Sequence, residues 1–223
     1  MKLDLRLSAC ADYIEKGAVV ADVGTDHAYL PVFLVENGIC PRAIASDIGT
    51  GPLEAAKKNI TKHNLSEKIE AVLSDGLKNV NKDGVTHVVI AGMGGETICD
   101  ILSACEWING CTLVLQPMTR SELVREFLFE NGFEISSEKA IIDGKFIYTV
   151  LKAVYTGNKK EFGQFEKVVG GLDLTLPAER EYIKKKIGQY EASAFGKLKS
   201  KLSCEEAQND KEIAEKLRKA LGE

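Results

Sequence analysis

Apolar and polar positions follow two periods along this chain. Short apolar runs that close on an acid or a glycine alternate with stretches where apolar residues step by three and four. Residues 3–16 read as an amphipathic helix, with Leu3, Leu7, Cys10, Ala11 and Ile14 on one side. Strands follow at 18–23, 43–47, 69–73, 86–91 and 112–116, with helices between them at 28–37, 52–63, 96–105 and 121–131. Gly38 and Gly132 stand where helix stops belong, and Pro52 suits a first turn. The fourth strand is unbroken apolar at Val88-Val89-Ile90, as a strand covered on both faces should be, and closes on Gly92-Met93-Gly94-Gly95. Two β-rich runs, 133–142 and 145–154, flank Asp143-Gly144, a hairpin signal of the type I′ kind. The pattern predicts an α/β fold with a seven-stranded, mostly parallel sheet ending in an antiparallel hairpin.

Beyond residue 156 the pattern turns helical and polar. Phe162, Phe165 and Val169 suggest a short helix that Gly170-Gly171 interrupts. Thr175 can cap a long helix with Pro177 just inside it. Tyr182, Ile183, Ile187, Tyr190, Ala194, Leu198 and Leu202 form one stripe, and a last helix carries Ile213, Leu217 and Leu221. Two narrow stripes predict an antiparallel helical pair or short coiled coil. The division expected is a domain at 1–156 and a helical domain at 157–223.

Composition narrows the function classes. The chain has 223 residues, 44% of them hydrophobic, enough for an α/β core plus an appendage. Its formal charge of −4 announces no global polycation, but the charge is uneven. Residues 157–223 hold 14 basic against 12 acidic residues, and the part before them 15 against 21. Six cysteines lack metal-ligand spacing, so no metal is expected. The amino terminus has no signal-peptide core, and no apolar run approaches the ~20 residues of a membrane span. A reduced, cytoplasmic protein with no membrane attachment and no obligate protein partner is the expectation.

The most informative segment is Val19-Val20-Ala21-Asp22-Val23-Gly24-Thr25-Asp26-His27: a strand, an acid, a glycine turn and the start of a helix. Asp47 ends the next strand, about 20 residues past the turn, where a ribose diol would need an acceptor. Asp75 ends the third, where an adenine amino group would need one. A pyrophosphate fingerprint wants three glycines, yet Gly24 stands alone and Asp26 takes the place of a second. An acid there repels phosphates and attracts the ammonium and sulfonium of S-adenosylmethionine. Each acid also has a plain reading: Asp22 and Asp47 as helix caps, Asp75-Gly76 as a turn. All three fall at carboxyl ends of separate predicted strands, the edge where open α/β sheets bind ligands.

Asp22-Val23-Gly24-Thr25-Asp26-His27-Ala28, Ala91-Gly92-Met93-Gly94-Gly95 and Leu115-Gln116-Pro117 together resemble the bacterial tRNA (adenine(22)-N1)-methyltransferase family. The resemblance covers about residues 1–155, and the helical tail is also typical of that family. It implies a Rossmann-like class I methyltransferase with a carboxy-terminal coiled coil, transferring a methyl group from S-adenosylmethionine to N1 of adenosine 22 in tRNA. Asp22, Gly24, Thr25, Asp47, Ile48, Asp75, Gly76, Gly92 and Met93 carry over as cofactor contacts. Neutral adenine N1 bears a lone pair and no hydrogen, so in-line attack needs alignment rather than a base. The product ring is cationic, which favours a carboxylate nearby, and Asp26 is the candidate. His27 and Tyr29 are placed to contact the base, and Gln116 to hold an adenine edge. His27 as an idle helix-start residue and Tyr29 as a packing aromatic are the plain readings. Candidates for RNA phosphates are Lys57, Lys58, Lys62, His63 and Lys68, the tail's Lys184, Lys185, Lys186, Lys197, Lys199 and Lys201, and Arg6 and Arg42. Any one of them also reads as part of a solvated helix face. The alternatives are a methyltransferase for another RNA or a small molecule, and a non-catalytic S-adenosylmethionine-binding scaffold. A nicotinamide dehydrogenase is disfavoured by Asp26 and the hairpin.

Overall fold

The computed structural model describes residues 2–200 and 204–223. Lys201 and Leu202, expected on the long helix, lie outside the described residues.

Seven strands form one sheet: β1 (Val20–Val23), β2 (Ala43–Asp47), β3 (Ile69–Leu73), β4 (His87–Gly94), β5 (Thr112–Thr119), β6 (Phe133–Asp143) and β7 (Phe146–Tyr155). Their order is β3-β2-β1-β4-β5-β7-β6. The first five are parallel, and β7 runs antiparallel to both β5 and β6. Side chains alternate across the sheet with the pleat. Val20, Val89, Val114 and Val150 point into one core, with α1 (Leu5–Ala11), α2 (Tyr29–Glu36) and α3 (Thr50–Lys62). Ala21, Val88, Ile90, Leu113, Leu115 and Leu151 point into the other. That second core is closed by α4 (Gly95–Ser103), a 3-10 turn at Ile108–Gly110, and α5 (Ser121–Glu130).

The tail comprises α6 (Gln164–Val169), α7 (Pro177–Ser200) and α8 (Cys204–Leu221). Arg180 donates to the Leu221 carbonyl at 2.9 Å, Arg218 pairs with Glu191 and Lys197 with Asp210, so α7 and α8 run antiparallel as expected. Val168, Tyr182, Ile183, Ile187, Ile213 and Leu217 form a third core, which takes in Ala140 of β6 and Ile147 of β7. A fully buried ion pair fastens this body to the sheet. Arg125 of α5 grips Glu138 of β6 at 2.7 Å and donates to the Lys167 and Val168 carbonyls at 2.8 and 2.9 Å, capping α6. Glu138 also accepts from the Gly171 N–H at 2.9 Å. Burial works against the guanidinium's charge, but Glu138 and Tyr182 together outweigh it and raise the Arg125 pKa.

Several predicted elements shift. The first helix is only α1, capped by Asp4, whose carboxylate accepts from the Leu7 N–H at 2.7 Å. The glycine segment after residue 91 is not a loop: β4 extends through Gly94 by irregular pairing with Pro117 and Thr119. Gly95 is demanded there by close approach, since a Cβ would sit 2.4 Å from the Arg120 carbonyl oxygen. In the hairpin, Asp143 pairs with Phe146, so Gly144-Lys145 is the turn and positive φ falls on Gly144 alone. That is the requirement of a Gly-first turn, not of type I′. Thr175 lies before α7 and donates its hydroxyl to Asp173 at 2.7 Å instead of capping the helix. Leu198 is exposed at 42%, outside the apolar stripe.

Candidate active site

The carboxyl ends of the parallel strands open into a cleft of about 690 Å³. It brings together Gly24, Asp47, Ile48, Asp75, Gly76 and Met93 of the residues singled out in the sequence. The far wall was not foreseen: Ser74, Lys78, Thr97 and Ile101, then the turn from Ala104 to Trp107. Thr97 and Ile101 are four apart on α4, a spacing that puts both on one face of the helix.

The floor begins at the β1–α2 turn. The Gly24 and Thr25 N–H groups both donate to the Ser46 carbonyl, at 2.8 and 2.9 Å, tying the turn to β2. Gly24 has φ +74°, and the Met93 side chain lies across its face. A Cβ there would come within 2.2 Å of Met93 Cε. Asp26 (φ +49°) and Ala28 (φ +54°) are also left-handed, an unusual cluster for residues that carry a Cβ. The turn throws Asp26 and Tyr29 outward as an exposed lip, with His27 half-buried between them. The His27 and Tyr29 rings stack at 5.2 Å, and Asp26 Oδ1 lies 3.7 Å from His27 Nε2.

Asp22 sits beneath the turn, buried, accepting the Thr25 hydroxyl at 2.6 Å. Burial pushes its pKa up to about 6, Asp47 adds to the rise, and the Thr25 hydrogen bond opposes it. Asp47 is half-buried at the end of β2, and its Oδ1 accepts the Gly49 N–H at 2.7 Å. Ile48 beside it is 71% exposed. Asp75 is exposed and paired with Lys78.

Gly92 and Gln116 lie apart from the cleft wall. Gln116 is fully buried. Its side-chain carbonyl accepts from the Gly92 N–H at 3.0 Å and from Arg6 at 3.3 Å, and its amide donates to the Pro117 carbonyl at 3.1 Å. Expected to touch adenine, Gln116 instead braces the β4 and β5 ends. No group of three His, Cys, Asp or Glu among the described residues is arranged for a metal ion. Burial raises the Cys10 thiol to about 12 and that of Cys111 to about 11.

A reversed strand in a parallel sheet, with the strand-end acids Asp47 and Asp75 around one cleft and Asp22 buried beneath it, is the architecture of a Rossmann-like methyltransferase. A methyltransferase-domain family model matches residues 3–151. The Bacillus subtilis tRNA (adenine(22)-N(1))-methyltransferase is 38% identical over 155 residues, which span 69% of this chain and 65% of that relative. The chain belongs to this methyltransferase-domain family. The solved B. subtilis M1A22 tRNA methyltransferase superposes with a TM-score of 0.86 at 28% identity, covering 99% of each chain. A Streptococcus pneumoniae protein described as a putative tRNA (m1A22) methyltransferase, in complex with S-adenosyl-L-methionine, gives 0.84 at 28%, covering 97% of this chain and 99% of that one.

Proposed function

We propose that this chain transfers a methyl group from S-adenosylmethionine to N1 of adenosine 22 in tRNA. The reading rests above all on Asp47 and Asp75 at the ends of β2 and β3 around one cleft, the buried Asp22 of β1 beneath its floor, and Asp26 where a phosphate-binding turn would have glycine. That donor set suits a diol, an adenine edge and a cationic tail, and repels a pyrophosphate. Asp47 would hold the ribose, Asp75-Gly76 the adenine, and Gly24 with Thr25 and Asp22 the amino-acid end. When bound, S-adenosylmethionine supplies an electrophilic methyl group on its sulfonium.

The chain's own work is alignment. Asp26, His27 and Tyr29 stand on one lip beside Gly24 and receive the extruded base: Tyr29 by its ring, and Asp26 by its carboxylate as charge develops on the purine. N1 attacks through its own lone pair, so no group here removes a proton. Gln116 acts at one remove, fixing the Gly92 backbone. Residues 1–156 form the catalytic unit in this reading, and 157–223 a helical unit that contributes to gripping tRNA. The site of action is the cytoplasm, where tRNA is modified, and no helix among the described residues is long and apolar enough to cross a membrane.

Incubation of unmodified bulk tRNA with methyl-labelled cofactor, followed by nucleoside analysis, tests the reading. Label in 1-methyladenosine at position 22 is expected; label in another nucleoside, or none, overturns it.

A further inference from the structure

A second surface lies on the same edge of the sheet as the cleft. Leu115 of β5 is level with Leu151 of β7, and the strands are antiparallel. Followed back from Leu151, β7 therefore passes Pro117 and Met118 and carries the hairpin tip beyond the carboxyl edge. There Phe146 is 48% exposed, and its ring stacks on Tyr148 at 6.0 Å and 26°. Lys145 Nζ lies 5.3 Å from the Phe146 ring, and the Arg6 guanidinium 5.9 Å from the Tyr148 ring. Tyr148 and Met118 also line a groove of about 340 Å³ whose opposite wall is α7, with Lys185 and Lys186. Lys186 is held by Glu122, but neither Lys145 nor Lys185 forms an ion pair among the described residues.

An exposed ring stacked on a half-buried one, bordered by unpaired lysines, matches the chemistry of an unstacked nucleotide: a π-face for the base and cations for the phosphates. Unpaired lysines favour a polyanion over the apolar face of a protein. The position matters too, because drawing a base out of its stack leaves its neighbours without a partner. The surface is joined to the catalytic edge through Arg6 and Gln116, whose carbonyl holds the Gly92 N–H.

We propose that Phe146 and Tyr148 form a stacking platform for an unpaired tRNA nucleotide next to the target adenosine, with its phosphates facing Lys145 and Lys185. The proposal rests on the tRNA-modifying reading above.

The test uses the full chain and an unmodified tRNA transcript. Binding is followed by fluorescence anisotropy across salt concentrations, and methylation on the same samples. The double variant Phe146→Ala/Tyr148→Ala should bind about tenfold more weakly with an unchanged salt slope, as loss of a stacked base predicts. Tyr148→Phe, which keeps the ring, should bind as the wild type does. Lys185→Ala should instead lower the log–log salt slope by about 0.7 to 0.9. Equal thermal midpoints and equal S-adenosylmethionine affinity would exclude unfolding as the cause. Wild-type affinity in the double variant overturns the platform and leaves the methyltransferase reading intact. RNA binding that needs both rings, with no methylation of any tRNA, overturns the reading and keeps the platform. A wild-type chain that binds no RNA overturns both.

Discussion

Strands β2 and β3 bring Asp47 and Asp75 to the cleft at their carboxyl ends, above the buried Asp22 of β1, while β5 and β7 on the same edge deliver Met118, Tyr148 and Phe146, with Arg6 and Lys145 against the rings. One half of the edge is acidic and concave, the other aromatic, cationic and outward-facing. On the proposed reading, a chain of −4 overall meets a cation and a polyanion on one sheet edge, each half presenting the opposite sign to its ligand. The Asp26–Tyr29 lip belongs to the acidic half's turn. Net charge describes neither half.

The contrast can be broken most severely by undocking the tail. Glu138→Ala leaves Arg125 buried and uncompensated, and unfolding should show a loss of about 3–5 kcal/mol. Unchanged stability would mean the pair does not fasten the helical body. Asp26→Ala should lower kcat by about 10²- to 10³-fold if its carboxylate stabilises the purine cation. Calorimetry should find its cofactor affinity unchanged; an equal loss would move Asp26 into the cofactor set. Asp47→Ala should weaken cofactor binding by roughly 100-fold, the scale of charged hydrogen bonds to a diol, and leave the tRNA salt slope alone. A changed slope would show that the two halves are not separable.

Asp22 supplies a finer test through pH. Its folded pKa, about 6, is above the ordinary 3.8, so its contribution to stability is fullest below pH ~3.8 and is lost as pH rises through 6. Asp22→Asn should be more stable than the wild type at pH 8, by at most about 3 kcal/mol, with little difference near pH 4. On the proposed reading the same variant should also bind the cofactor more weakly, since an ionised Asp22 beneath the turn favours a cationic tail above it. Equal denaturant midpoints at pH 8 would remove the buried charge from the account.

Much of the acidic half was legible in the sequence. Strands β2 and β3 match their expected bounds because each apolar run stops at a helix stop on one side and an acid or polar turn on the other. The acids at their ends followed from topology alone. The other half was hidden because its features are set by tertiary partners. The segment through Gly94 becomes strand only because β5 continues past Pro117 to pair with it. Gln116 was read as a ligand group, although its neighbours Gly92 and Arg6, distant in sequence, take up its carbonyl. Arg125 looks like any charge on a helix until Glu138 and the end of α6 close over it. The far wall of the cleft was missed because Thr97, Asp100 and Ile101 of α4 belong to no motif, and read as ordinary positions of an amphipathic helix. Their signal was the four-residue spacing of Thr97 and Ile101 at the helix next to β4.

The strand order has a consequence for biosynthesis. β7 lies between β5 and β6, so the Leu113–Leu115 stretch keeps one side unpaired until the ribosome has made Leu151 to Ala153. A nascent chain halted at the hairpin turn would display an open apolar strand, the feature most prone to pair with another chain. That side of β5 is covered only once residues 151–153 have emerged from the ribosome and paired beside it.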